Sequence, residues 1–265
     1  SGLFVDYATS IQEYLQAQNV NWTLISNFRE DDPANLSFQL LNGKLSDDGF
    51  IIMGVPSPNS PFLQQLIQKK KPVVILSRDW PQLPVSTDSQ DYYQQAQLAL
   101  EHLLELGHRQ IAFLAREIDR EFDWFHVRLN CYREVMGRLE TAVDDTLITV
   151  GKTGGEAAVT LMKRRPDVTA IFAIHDENAV SAIESLQHLG LQVPTDVSVI
   201  GLDDSAKMPA GSPTISTVTF SHRNAARLAA ETLLRQLDDE TVLYNKIFVN
   251  SYLLKRDSCS QPKSK

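Results

Sequence analysis

Four short stretches carry the side chains best suited to chemistry. Ser77-Arg78-Asp79-Trp80, Arg116-Glu117, His175-Asp176-Glu177-Asn178 and Asp203-Asp204-Ser205 each follow directly on an apolar, β-rich run. In an open parallel sheet, ligands bind beyond the carboxyl ends of the strands, where the chain leaves the sheet. Carboxylates, an arginine and flanking aromatic rings are the equipment for a hydroxyl-rich ligand: paired hydrogen bonds fix the polar edges and a ring packs on the C–H face. The same residues have a plainer use as well. Asp176 is placed to cap the helix that follows it, with Glu177 in the first turn, and Asp204 or Ser205 can cap in the same way. His175 stands ahead of the cap and is less readily assigned to local structure.

Other chemistries find little support. No GxGxxG, GxSxG or HExxH pattern occurs. Gly151-Lys152-Thr153 evokes a phosphate-binding loop, but Thr146 stands where that motif needs its first glycine, so the triplet reads as a strand-to-helix turn. His102 and His108 are too far apart for one helical face, and no carboxylate-cysteine set completes a metal site. No nucleophile pairs visibly with a base. The expectation is therefore no catalytic residue, no metal, no cofactor and no enzyme.

The elements that must position these exits alternate regularly. Apolar runs at Trp22–Ser26, Phe50–Val55, Val73–Leu76, Ile111–Ala115, Leu147–Val150, Ala170–Ile174 and Val197–Leu202 are continuous, as in strands buried on both faces of a parallel sheet. Amphipathic stripes lie between them: Ala96, Leu100, Leu103 and Leu104; Val127, Cys131, Val135 and Met136; Ala179, Ile183, Leu186 and Leu189; Ala226, Ala230, Leu233 and Leu237. Gly107 and Gly190 close helices, and Pro72, Pro166 and Pro194 precede strands. This alternation predicts a doubly wound α/β fold. Trp80–Asp91, polar and carrying two prolines, reads as an extended connection between two lobes. Lys207–Ser216 is a second irregular stretch, and Lys246–Leu254 a last strand-like piece. Three crossings, near residues 87, 218 and 250, would join two lobes with a crevice between them.

Bulk properties narrow the partners. With 265 residues, 43% hydrophobic and mean hydropathy -0.20, the chain can bury one large core or two modest ones. A net charge of -8 and a pI near 5.3 make it poorly suited to grip a phosphate backbone by itself. Lys69-Lys70-Lys71 reads as a solvated helix end. No apolar run is long enough for a membrane span, and no signal peptide is visible in the first residues. Cys131 and Cys259 form no CxxC pair, which favours a reducing cytosol.

At Leu106–Phe113, LGHRQIAF, the chain resembles the LGHRxIAF signature of LacI/GalR-type regulators. Val193–Asp204, VPTDVSVIGLDD, is similar to that family's VPxDVSVIGFDD segment. Arg128 with Tyr132 resembles its R-x-x-GY helix, Pro166–Asp176 its P-x-AIFAxND strand, Pro213–Val218 its PxLTTV crossing and Lys255–Cys259 its VxRDSC end. The resemblance runs over nearly the whole chain. It implies two Rossmann-like lobes of the periplasmic-binding-protein type, 1–87 plus 219–249 and 88–218 plus 250–265, with a small, sugar-like effector in the cleft between them. It further implies a cytoplasmic homodimer acting as a repressor, and operator DNA bound through an N-terminal helix-turn-helix that this chain does not carry. The match begins at Leu3-Phe4, so the first strand of the N-terminal lobe is also expected to be missing.

The effector residues the resemblance implies are Leu3 and Phe4 at the cleft wall, Arg128 as hydrogen-bond donor, Phe172 as packing ring, His175 at the strand exit and Asp203 as hydroxyl acceptor. Arg78 and Trp124 join them from the strand exits and the departures. His175 replaces the family's usual Asn with a titratable ring, Tyr92-Tyr93 takes the place of a common Gly-Gly, and Trp124 stands where a small polar residue is frequent. These rings would narrow the pocket or stack on a sugar. The alternative is a periplasmic solute-binding protein of a transporter, which shares the two-lobe design.

Overall fold

A computed structural model describes residues 2–22, 49–53, 57–76, 80, 82–139, 144–206, 208–239 and 244–263, with the backbone alone for 2–4. The elements begin with α1 (Gly2–Ala17), β1 (Phe50–Met53), α2 (Pro61–Gln68), β2 (Val73–Leu76), β3 (Ser86–Gln90) and α3 (Tyr92–Glu105). There follow β4 (Ile111–Arg116), a 3-10 turn at Glu117–Glu121, α4 (Asp123–Gly137), β5 (Ile148–Gly151), α5 (Gly154–Arg164), β6 (Ala170–Ala173) and α6 (Asp176–His188). The chain ends with β7 (Ser198–Leu202), β8 (Ser216–Phe220), α7 (His222–Asp238), β9 (Lys246–Val249) and β10 (Ser251–Leu254). These fall into two compact units, Ser1–Gln90 with Ser221–Asn250, and Asp91–Phe220 with Ser251–Lys265.

The first unit holds a parallel sheet in the order β1-β2-β3-β9. Ile52, Val73 and Ile75 of the sheet bury against Phe62, Leu63 and Leu66 of α2. The side chain of Ser60 caps α2 by accepting from the Leu63 N–H. Within the extended connection read at Trp80–Asp91, Ser86–Gln90 forms β3, a full member of this sheet. Its sequence, STDSQ, is polar, yet Ser86, Thr87, Asp88 and Ser89 are all buried. The strand is tolerated because its backbone pairs on both sides, with β2 and β9, and Ser86 Oγ accepts from Gln236 Nε2 (2.8 Å) and from the Asn245 N–H (3.1 Å).

The second unit holds six strands in the order β10-β8-β7-β6-β4-β5, parallel except for β10 against β8. Its faces separate by strand alternation. Ile111, Phe113 and Ala115 of β4 face α3 and α4, whereas Ala112 and Leu114 face α5 and α6. Phe113 is central to the first face. Its ring meets Phe125 edge-on at 5.7 Å and Phe172 at 5.8 Å, and Tyr132 leans on it at 5.5 Å. The Tyr132 hydroxyl donates to the Ile111 carbonyl at 2.8 Å, so this large ring is buried without an unsatisfied oxygen.

Local signals place the helix ends. Asp91, Thr153 and Ser221 each accept a hydrogen bond from an N–H in the first turn of the helix they precede. Gly107 follows α3 at φ +99°, a conformation that would strain any side chain, so the helix stops there. Gly151-Lys152-Thr153 is indeed the turn from β5 into α5. Lys246–Leu254 is two strands rather than one piece: the chain breaks at Asn250, β9 pairing in the first unit's sheet and β10 in the second's. The run at Trp22–Ser26 lies outside the described residues beyond Trp22. Leu189 and Leu237, drawn into apolar stripes by periodicity, sit at helix ends and are exposed.

Phe113→Ala removes the ring on which three others pack. It is expected to destabilise the chain by about 3–5 kcal/mol in urea denaturation followed by circular dichroism.

Candidate functional site

The carboxyl edge of the six-stranded sheet gathers side chains from four elements around Arg128. Trp124 and Arg128 stand one turn apart on α4, Tyr92 and Gln95 one turn apart on α3. His175 follows β6 and Asp203 follows β7. Arg128 is 1% exposed. Its Nη1 donates to the Ile174 carbonyl at 2.9 Å, and its Nη2 donates to Gln95 Oε1 at 2.8 Å. Nη2 also lies 3.5 Å from Asp203 Oδ1. The guanidinium carbon sits over the Tyr92 ring at 5.2 Å and the Trp124 ring at 5.3 Å. Burial pulls the Arg128 pKa down, opposed by the charge of Asp203.

A ring of contacts closes on this arginine. Asp203 Oδ2 pairs with His175 Nδ1 at 2.9 Å. The His175 ring meets Trp124 edge-on at 4.5 Å, and Trp124 stacks on Phe122 at 5.2 Å with the planes 10° apart. Asp203 holds a left-handed backbone, φ +91°, followed by Asp204 at φ +50°. Such conformations cost on the order of 1–3 kcal/mol where side chains are not made for them. Two hydrogen bonds hold Asp203 there: its N–H donates to the Val218 carbonyl (2.9 Å) and its carbonyl accepts from Thr219 Oγ1 (3.3 Å).

Asp176 has a different part from the cap read in the sequence. His175 occupies the cap position of α6, without a side-chain cap bond, and Asp176 begins the helix. The Asp176 carboxyl is buried and turns to the neighbouring strand exit, where Oδ2 accepts from the Ser205 N–H at 2.9 Å. A Cβ on Gly201 would collide with that carboxyl, which explains the glycine in the middle of β7. Burial pushes the Asp176 pKa up to about 7, against hydrogen bonds from Thr217 and Ser205 that favour the charged form. Arg256 Nη1 fastens the same loop at Asp204 Oδ1, 2.7 Å away. No helix follows Asp204 and Ser205 among the described residues, so they cap nothing there. At the β4 exit, Arg116 is taken up by Asp119 (3.0 Å) and Glu177 (3.5 Å), and Asp119 also accepts from Asn178 Nδ2.

Of the residues singled out in the sequence, Trp124, Arg128, His175 and Asp203 come together. Phe172 does not join them: it is fully buried in the core, in one cross-strand row with Phe113 and Ile200. Leu3 and Phe4 lie in the first turn of α1, in the other unit, and their side chains are outside the described residues, as is Arg78. Tyr92 and Tyr93 part company: Tyr92 lies against Arg128, whereas the Tyr93 hydroxyl donates to Glu134 at 2.6 Å. Gln95 is the residue that sequence reasoning missed. Its one signal is a polar side chain just before Ala96 in an apolar stripe, which is weak.

The arrangement offers hydrogen-bonding groups and ring faces. Among the described residues no group of His, Cys, Asp and Glu could hold a metal ion, and no helix is long and apolar enough to cross a membrane. Comparison with known proteins gives this edge its setting. The profile of the periplasmic binding protein-like domain matches residues 100–259, which carry nearly all of the second unit. The chain belongs to that family. MalR, an HTH-type transcriptional regulator of Clostridium butyricum, is 30% identical over 203 residues, covering 72% of the chain and 58% of its own length. A solved transcriptional regulator CelR–cellobiose complex superposes with a TM-score of 0.81 at 26% identity, over 97% of the chain and 79% of that protein. A LacI family transcriptional regulator of Enterococcus faecalis V583, solved with bound ribose, shares the fold at 23% identity, with a TM-score of 0.77 over 98% of this chain and 95% of that one. The periplasmic binding protein-like fold and the kinship with LacI-type regulators read from the motifs are thus borne out. The chain spans about three fifths of the length of several curated relatives, 58–64%.

The Asp176 pKa carries a pH dependence. With its value raised from 3.8 to about 7, the folded chain holds a proton that the unfolded chain has lost. The stability this contributes is full below about 4 and is lost as pH rises through about 7. Asp88 in β3 is pushed to about 7 in the same way and adds a second such step. Asp176→Asn keeps an acceptor for Ser205 and is expected to flatten part of the fall in Tm between about pH 4 and pH 7. A fall of unchanged size would show that Asp176 is ionised throughout.

Proposed function

We propose that the chain is the effector-binding and dimerisation core of a LacI/GalR-type DNA-binding regulator, a repressor that senses a sugar or sugar derivative. The observation that carries this reading is the closed constellation of Trp124, His175, Asp203 and Arg128 at the carboxyl edge of a parallel sheet. That is where the fold delivers ligands. Asp203 and His175 provide hydrogen-bonding groups for hydroxyls, and the Trp124 ring provides a face for C–H groups. Relatives that are HTH-type regulators support control of transcription over solute transport, and the cellobiose held by CelR supports a saccharide.

In this reading the regulator works in the cytoplasm as a homodimer, with a helix-turn-helix outside this sequence holding the operator. The acidic chain repels the phosphate backbone and leaves that task to the head. A ligand alters DNA binding only through unequal affinity for the two arrangements of the protein; equal affinity shifts nothing.

Two measurements test this. In thermal-shift titrations with neutral mono- and disaccharides, cellobiose among them, a ligand at a hundredfold its Kd is expected to add about 2.7 kcal/mol of stability. Asp203→Ala and Trp124→Ala are each expected to weaken that ligand at least tenfold. In gel-shift assays, a full-length regulator that holds its operator equally with and without saturating ligand overturns the regulatory reading.

A further inference from the structure

The mode in which Arg128 is buried says which ligands this edge admits, given that it is a ligand site as proposed above. Carboxylates and phosphates are recognised by the planar fork of a guanidinium, two parallel N–H donors to two oxygens. Arg128 has no such fork to offer. Both parallel donor pairs of a guanidinium, Nε with Nη2 and Nη1 with Nη2, need a hydrogen of Nη2. Here Nη2 donates to Gln95 Oε1 and lies 3.5 Å from Asp203 Oδ1, while Nη1 gives one of its two hydrogens to the Ile174 carbonyl. Its Nε finds no hydrogen-bond partner among the described residues, but that atom is itself buried. The Tyr92 and Trp124 rings lie against the guanidinium carbon, and the side chain is 1% exposed.

Charge points the same way. Asp203 already balances Arg128 one for one. Two more arginines at this edge are similarly engaged, Arg116 by Asp119 and Glu177, Arg256 by Asp204. An anionic ligand would bring a second negative charge beside Asp203 and Asp204 with its natural counter-ion occupied, and buried unpaired charge is costly. An uncharged hydroxyl needs only one donor or acceptor, which His175 and Asp203 supply at 21% and 16% side-chain exposure.

We infer that Gln95 is a specificity-determining residue: by holding Nη2 of Arg128, it withdraws the guanidinium from anions and restricts the site to uncharged, hydroxylated ligands. Gln95 is fully buried and acts through Arg128, so it is a positioning residue and need not touch the ligand. Its carboxamide is suited to the task. It accepts the arginine hydrogen bond without adding the negative charge that a glutamate would bring.

The test is a paired panel on the whole chain, read by calorimetry: glucose, galactose, ribose and cellobiose, each beside its phosphorylated or uronic acid counterpart. The wild-type chain is expected to bind a neutral member at least tenfold more tightly than its anionic counterpart. Gln95→Met, which keeps the side-chain volume but has no acceptor oxygen, is expected to narrow that ratio about tenfold, through gain by the anion. A structural defect alone would weaken both members and leave the ratio where it was. An anionic member that binds the wild-type chain more tightly than its neutral parent overturns the inference while leaving the site intact. An unchanged ratio in Gln95→Met removes Gln95 as the determinant. No binding by any member of the panel sinks the inference together with the saccharide reading beneath it.

Discussion

A guanidinium that is 1% exposed has to find its counter-charge and its acceptors inside the protein, and the arrangement of the second unit's carboxyl edge follows from how Arg128 finds them. The Ile174 carbonyl lies at the end of β6, the Gln95 amide in the first turn of α3, and the Asp203 carboxylate just after β7. One side chain on α4 therefore draws two strand exits and a second helix to a common point. Removing one partner from such a buried pair costs about 3–5 kcal/mol, because the other charge is left uncompensated. The aromatic rings of Tyr92 and Trp124 cover the cation and keep water from competing for it.

The second constraint lies one residue further along the same loop. Asp203 and Asp204 both adopt left-handed backbone, which neither would choose by itself. Three ties hold them there: Asp176 accepts from Ser205, Arg256 pairs with Asp204, and the Asp203 N–H reaches Val218. Gly201 leaves the room that the Asp176 carboxyl needs. Asp203 is thereby presented to His175 and Arg128 by backbone geometry.

Much of the fold was legible because hydrophobic periodicity and caps are local. Runs such as Val73–Leu76 and Ile111–Ala115 are strands whatever surrounds them, and Gly107 ends a helix by its own conformational freedom. β3 was not legible. A strand spelled STDSQ carries no apolar signal, and its burial depends on pairing with β2 and with β9, which lies more than a hundred residues away. Lys246–Leu254 reads as one strand for a similar reason, since only the two separate sheets show that it must break at Asn250.

The candidate site divides along the same line. Motifs named Arg128, His175 and Asp203, and a departure from the family pattern named Trp124; the structure brings these four together. Phe172 looks like a packing ring in the motif, but the parity of its position on β6 points it at Phe113 and the core. By itself, then, the sequence determined the strand-helix alternation, the helix ends and the residue types at the strand exits, all matters of neighbouring residues. Only the tertiary structure decided which exits meet, that Gln95 takes Nη2 of Arg128, and that Asp176 ties a loop instead of capping a helix. Those outcomes depend on contacts between residues far apart in the chain, and no local pattern encodes them.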